Sequence, residues 1–207
     1  MSKSISYAVT VCNERKEIEI LLNQLNKYIR PIDEIVVLFD EKNGDNVTRE
    51  YLETVENITL IRADFNNNFG QWKNKLKSYC KKEYIFFLDA DEISNDNLLQ
   101  YLPDILNENP TIELFWVPRI NIVNGITKEN LDVWGWTMND KRYINYPDIQ
   151  SRICKNIPNI HWDGHVHEKL IGAQTYTTLP PEEQFSLIHI KDIKKQINQN
   201  KLYNQIN

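Results

Sequence analysis

The chain of 207 residues has only three cysteines, Cys12, Cys80 and Cys154, and no two of them form a CxxC pair. An odd number of scattered thiols argues against a disulfide framework or a cysteine-rich zinc site and fits a reducing compartment. Basic charge is not in excess. There are 24 lysines and arginines against 29 acids, a formal net charge of -5, so no global positive field favours a protein that holds nucleic acid by neutralising phosphates. Long apolar runs are missing too. The longest, Tyr84-Ile-Phe-Phe-Leu88, is far short of the roughly 20 residues that span a bilayer. The start, Met1-Ser-Lys-Ser-Ile-Ser-Tyr7, lacks the apolar stretch of a secretory signal. We therefore expect a cytoplasmic protein, with peripheral membrane contact left open. The composition that remains, 41% hydrophobic and 26% charged, is that of an ordinary globular chain long enough to bury a sizeable core in one domain.

Over the first half, short β-rich runs alternate with longer amphipathic ones, the pattern of βαβ units and a mainly parallel sheet. Strands are predicted at Ile5 to Val11, Glu34 to Phe39, Ile58 to Arg62, Tyr84 to Leu88 and Ile112 to Val117. Ile18, Leu21, Leu22 and Leu25 recur at helical spacing until Pro31 forbids continuation. Val47, Tyr51, Leu52 and Val55 mark a second helix capped by Asp45 or Asn46, and a third lies near Phe69 to Cys80. A fourth, capped by Asn95 or Ser94, carries Leu98, Leu99, Leu102 and Ile105. The unbroken apolar run to Leu88 suits the middle of a sheet covered on both faces. From Pro118 to about Pro181 the chain is aromatic and turn-rich, which reads as short strands and loops walling a pocket. Phe185 to Ile188 is strand-like, and Lys191 to Asn207 reads as a polar helical tail with Ile193, Ile197 and Leu202 facing inward.

In open α/β sheets, ligands sit beyond the carboxyl ends of the strands, and there Asp89-Ala-Asp91-Glu92 follows the most apolar strand. Two carboxylates separated by one small residue can turn toward one hard cation, which also binds diphosphate oxygens. The alternative is that Asp91 and Glu92 merely open the next helix, at its positive dipole end. The ordered set of Ala8-Val-Thr-Val-Cys-Asn-Glu14, a second strand ending in Asp40, Phe69-Gly-Gln-Trp-Lys-Asn74, Leu88-Asp-Ala-Asp-Glu92, Gln150-Ser-Arg152 and Trp162-Asp-Gly-His-Val-His-Glu168 resembles the GT-A-fold, family-2-type glycosyltransferases. The resemblance runs from Ile5 to about His189.

That resemblance implies an α/β, GT-A-like and Rossmann-related fold, a mainly parallel sheet flanked by helices. A single domain over 1–207 would divide into a nucleotide-sugar-binding half (1–117), an aromatic-rich acceptor-side half (118–190) and a helical tail (191–207). It implies Mn²⁺ or Mg²⁺ held by Asp89 and Asp91 on a nucleotide-sugar diphosphate, a UDP-sugar being favoured. His189 would be a third metal or phosphate ligand, or else a buried, satisfied histidine. Thr10, Asn13 and Glu14 would line the nucleotide site. Asp40 would accept from the imide N–H of a uracil-like base, or else cap a turn. Lys73 stands where the family usually carries arginine before Asn74, so phosphate would meet a point charge in place of a bidentate fork.

An inverting transfer needs a carboxylate that takes the acceptor's proton while the diphosphate leaves on the opposite face. The candidates are Glu168, Asp163 and Asp148. Glu168 comes first, because Gly164-His-Val-His167-Glu168 resembles the family's Gly-x-x-His-Glu segment near the acceptor; its ordinary alternative is a pair with Arg152 or Lys169. His161, His165 and His167 with Cys154 match no standard zinc spacing. Trp134, Trp136, Tyr143, Tyr146 and Trp162 offer faces for sugar stacking, for core packing or for nucleobases. Lys73, Lys75, Lys77, Lys81 and Lys82 read as a solvated helix face or a nucleic-acid contact. The function expected is metal-dependent transfer of a hexose-like sugar to the hydroxyl of a surface or envelope glycan. A hydroxylated DNA base is the second acceptor. A sugar-1-phosphate nucleotidyltransferase is a rival whose Gly-rich loop is absent from Val11-Cys-Asn-Glu-Arg15, and a non-catalytic sugar-binding module is another.

Overall fold

The computed structural model describes residues 2–206, with side chains described as far as residue 201. Its first half is β1 (Ile5–Val11), α1 (Arg15–Tyr28), β2 (Glu34–Asp40), α2 (Asn46–Thr54), β3 (Thr59–Ala63), α3 (Phe69–Tyr79) and β4 (Tyr84–Asp89). The strands lie parallel in the order β3-β2-β1-β4. Local chemistry sets these boundaries. Asp45 accepts from the Thr48 amide at 2.7 Å and Asn68 from the Gln71 amide at 2.8 Å, capping α2 and α3. Ile18, Leu21, Leu22 and Leu25 form the buried stripe of α1. In α2 the inward residues are Thr48 and Leu52, while Val47 points outward.

β4 shows why an unbroken apolar run belongs at the centre. Phe86 and Leu88 enter the core shared with α1 and with α4 (Asp96–Glu108), whereas Ile85 and Phe87 enter the one on the α3 side. Both faces are covered, so period-2 alternation between polar and apolar residues disappears.

The second half departs from short strands and loops. It comprises β5 (Glu92–Ser94), β6 (Leu114–Asn124), α5 (Lys128–Trp134), β7 (Ile144–Lys155), β8 (His161–Asp163), β9 (Lys169–Ile171), β10 (Tyr176–Thr178), β11 (Leu187–Asp192) and α6 (Ile193–Ile206). The main sheet continues β4-β7-β6-β11-β5, with β10 also on β6 and β8-β9 as a separate hairpin. β7 is antiparallel to β4 and β6, and β5 to β11; the other pairings of this sheet are parallel. β6 runs straight through Pro118. The proline falls at a break between neighbours, since β10 ends opposite Trp116 and β11 begins opposite Arg119, so its missing N–H interrupts neither ladder. Asp91 and Glu92 do not open a helix; Glu92 begins β5. The tail is a strand before it is a helix, because Lys191 and Asp192 finish β11. Ile193 and Ile197 are half-buried, and the side chain of Leu202 lies outside the described residues.

The β8-β9 hairpin is fastened to α3 by backbone contacts. Phe69 N donates to His165 O at 2.9 Å and Gly70 N to Gly164 O at 3.0 Å. Asn74 clamps Trp162 on both sides, donating to its carbonyl at 2.7 Å and accepting from its amide at 2.8 Å. A Cβ on Gly70 would lie 2.6 Å from Gly164 O, so only glycine permits this approach. We expect Gly70→Ala to destabilise the fold by about 1–3 kcal/mol through overpacking, and Asn74→Ala by about 1–3 kcal/mol through unpaired backbone groups. Urea denaturation measures both; changes within error would show that the hairpin docks by other contacts.

Candidate active site

The carboxyl ends of β1, β4 and β11 converge with the hairpin tip on a dense group of charges. Glu92, fully buried, is its centre. Its Oε1 accepts from Arg119 at 2.8 Å and Arg152 at 2.5 Å, while its Oε2 accepts from the backbone N–H of Asp89 at 3.1 Å. Arg119 also grips Asp148, which takes further bonds from Asn121 and Gln150. Charges this buried persist only when paired, and here the pairing fixes the turn that carries Asp89 and Asp91.

Asp89 accepts from Thr10 Oγ1 at 3.0 Å and Arg152 at 3.0 Å, with Lys73 Nζ at 3.4 Å. Burial alone would raise its carboxyl pKa, but the charges of Lys73 and Arg152 and the bonds from Arg152 and Thr10 hold it well below the usual range. Lys73 continues to Glu168, 2.6 Å away, and lies 4.7 Å over the Trp162 ring. The acidic turn and the hairpin tip thus meet through one ammonium group.

Asp91 faces the other way, toward β11 and α6. Its Oδ2 is 3.3 Å from His189 Nε2, 3.1 Å from Lys195 and 3.9 Å from Lys191. Against burial, these neighbours keep its carboxyl well below the ordinary value. His189 Nδ1 faces Asn121 Oδ1 at 3.0 Å, and Asn121 is oriented by donating to Asp148 at 2.7 Å. This relay makes His189 Nδ1–H donate to Asn121 Oδ1 and aims Nε2 at Asp91, where it is buried without a hydrogen bond. A proton on Nε2 or a divalent cation would satisfy the pair. The carboxylate suits Mg²⁺ or Mn²⁺, and of these two Mn²⁺ takes an imidazole nitrogen more readily. Among the described residues, no three His, Cys, Asp or Glu side chains gather as a ready metal cage, and Asp89 is already engaged by Arg152, Thr10 and Lys73.

The other residues named from the sequence have the following surroundings. Glu14 accepts from the Cys12 and Asn13 amides at 2.9 and 3.1 Å, while Asn13 itself is exposed. Asp40 is buried, its oxygens taken by the amides of Lys42, Asn43 and Phe65 and by the Asn43 side chain. It thus organises the turn after β2. Beside it, Glu41, Arg62, Asp64, Asn66 and Lys75 line an open groove of about 400 Å³. Asn74 reaches the Trp162 backbone, and Asp163 sits exposed at the end of β8. Trp162 is core, edge-on to Phe87 at 5.1 Å, whereas Trp134, Trp136 and Tyr143, on the excursion between β6 and β7, and Tyr146, at the start of β7, are half-buried. The lysine run is not one face: Lys73 turns inward and Lys77 donates to Ile157 O at 3.0 Å. Burial, with Asp40 and Glu14 nearby, pushes the Cys12 thiol up to about 12, so it is no nucleophile at neutral pH.

The sequence assigns no role in the site to Arg119, Lys191 or Lys195, and it names Arg152 only within a motif and as an alternative partner of Glu168. Arg152 did leave a signal, a full charge directly before Ile153-Cys154 in a strand. Glu92→Gln would leave two buried arginines without their shared carboxylate. We expect a loss of about 3–5 kcal/mol in denaturant unfolding; a loss under about 1 kcal/mol, the range of exposed ion pairs, would show that the cluster is not a structural anchor.

The family model described as Glycosyl transferase family 2 matches residues 6–165. Among solved structures, S. aureus TarS 1-349 is 16% identical over all of this chain and 64% of that one, with a TM-score of 0.61. The same protein in complex with UDP is 15% identical over 96% of this chain and 64% of that one, at 0.64. Its complex with UDP-GlcNAc is 16% identical over 92% and 59%, at 0.59. The chain spans less than two thirds of the length of these structures, and at such identity the likeness is one of fold. The family match begins in β1, takes in the acidic turn after β4 and ends in the hairpin tip docked on α3, and on it the chain belongs to glycosyl transferase family 2.

Proposed function

We propose that this chain moves a hexose-like sugar from a nucleotide diphosphate, a UDP-sugar by preference, to an acceptor hydroxyl with inversion, and that it uses Mn²⁺ or Mg²⁺. The observation that carries this reading is the Lys73 bridge, which joins Asp89 at 3.4 Å to Glu168 at 2.6 Å. A donor-side carboxylate and a candidate base thereby share one site. The complexes of TarS with UDP and UDP-GlcNAc support the choice of a UDP-sugar. The groove beyond β2 and β3, lined by Glu41, Arg62 and Asp64, offers the nucleoside a place, and Thr10, Asn13 and Glu14 at the end of β1 would line the site toward the diphosphate. Asp91 and His189 would hold the cation, which, when bound, supplies Lewis-acid stabilisation of the departing diphosphate.

Lys73 would meet the diphosphate as a point charge. Glu168 would take the acceptor's hydroxyl proton as the new oxygen–carbon bond forms, while the bond from the anomeric carbon to phosphate breaks and its electron pair leaves with UDP. Of the other candidate bases, Asp148 is engaged by Arg119, Asn121 and Gln150, and Asp163 stands exposed outside the Lys73 bridge. The half-buried rings of Trp134, Trp136, Tyr143 and Tyr146 can stack on a saccharide acceptor, as on a surface or envelope glycan, and equally on a base. Three unpaired thiols agree with a cytoplasmic setting. Among the described residues no helix is long and apolar enough to cross a membrane.

A mass-spectrometric donor screen, run with a lipid-linked glycan and with hydroxymethylated DNA as acceptors, tests this reading. We expect turnover on the glycan and a UDP-sugar. We expect Asp91→Ala to lower it at least about 100-fold with the unfolding midpoint little changed, a loss typical of removing one charge-stabilising group. Glu168→Gln should lower it about 10²–10⁴-fold, the range for a general base, with UDP affinity retained. Equal turnover of wild type and Asp91→Ala would make the acidic turn purely structural, and turnover on DNA alone would replace the acceptor.

A further inference from the structure

Among the described cations at this strand end, Lys195 is the one most open to exchange. The side chains of Arg152, Lys73 and Lys191 are 3%, 7% and 7% exposed and that of Arg119 18%, against 38% for Lys195. These four cations are fastened: Arg119 and Arg152 to Glu92, Lys73 to Glu168, and Lys191 to Gln199. Lys195 instead bridges two acids at the rim, Asp91 at 3.1 Å and Glu14 at 3.7 Å. It therefore ties the turn after β4 to the turn after β1. Its own position is set by the sheet, because α6 continues directly from β11, and Asp192 caps the junction by accepting from Lys194 N at 2.8 Å.

A diphosphate entering here would add negative charge beside Asp89, Asp91, Glu14 and Glu168. Lys73 already faces the site between Asp89 and Glu168, whereas moving Arg119, Arg152 or Lys191 toward it would break a paired charge in a poorly solvated place, at high cost. A half-exposed ammonium on a flexible stem can exchange a carboxylate for a phosphate with little desolvation. We propose that Lys195 is a donor-binding residue, which leaves the Asp91–Glu14 bridge to engage the β-phosphate when the nucleotide sugar enters. The inference rests on the nucleotide-sugar reading above. It adds that α6, from the far end of the chain, closes the diphosphate end of the site.

Titration calorimetry in Mn²⁺ buffer with UDP and UMP, on wild type, Lys195→Met and Lys195→Arg, tests it. We expect Lys195→Met to lose about tenfold in UDP affinity, as for one charge-assisted bond. Its UMP affinity should change less than about twofold, the loss being confined to the phosphate that UMP lacks. Lys195→Arg should retain most UDP affinity, and all three proteins should share one unfolding midpoint within a few degrees. Unchanged or tighter UDP binding by Lys195→Met, or an equal loss for UMP, overturns the inference. Absence of UDP binding by the wild type would overturn the nucleotide-sugar reading itself and this inference with it.

Discussion

A buried carboxylate, Glu92, organises the working end of this protein. It neutralises Arg119 and Arg152 and bonds the backbone of Asp89, so the turn that presents Asp89 and Asp91 is anchored from beneath by charge in a water-poor interior. Such an arrangement is stable only while every member is present. Its consequence for the site is directional. Arg152 and Thr10 hold Asp89 toward Lys73 and the hairpin, and Asp91 is left facing His189, Lys191 and Lys195. Two acids one residue apart thereby acquire different surroundings.

The parallel half was legible because its determinants are local. The stripe on α1, the Asp45 and Asn95 caps and the apolar run of β4 each act within a few residues of sequence. The second half was not, because β6, β7, β11 and β5 pair with partners distant in the chain, and no short pattern announces that order. Pro118 suggested an end to β6, yet it sits at a break between two neighbours where a proline is harmless.

The same division holds for the site. Asp89, Asp91, Lys73 and Glu168 stood out through motif and resemblance, and the structure brings Asp89, Lys73 and Glu168 together. Asp40 and Asn74 lie in the expected neighbourhood but bond to the chain itself, one building a turn and the other clamping Trp162. The Asn121 relay to His189 and the reach of Lys195 to Asp91 arise only when β6, β11 and α6 assemble beside β4. Long-range assembly, more than residue type, made these groups invisible in the sequence.

The central claim is that the acidic turn and its neighbours form one donor site with a cation at Asp91 and His189. Anomalous diffraction from crystals soaked in Mn²⁺ and UDP tests it most directly. The account predicts a manganese peak bonded to Asp91 and His189, with the diphosphate between it and Lys73. A diphosphate bound elsewhere, or the Asp91–His189 pair intact with no manganese beside it, would contradict it.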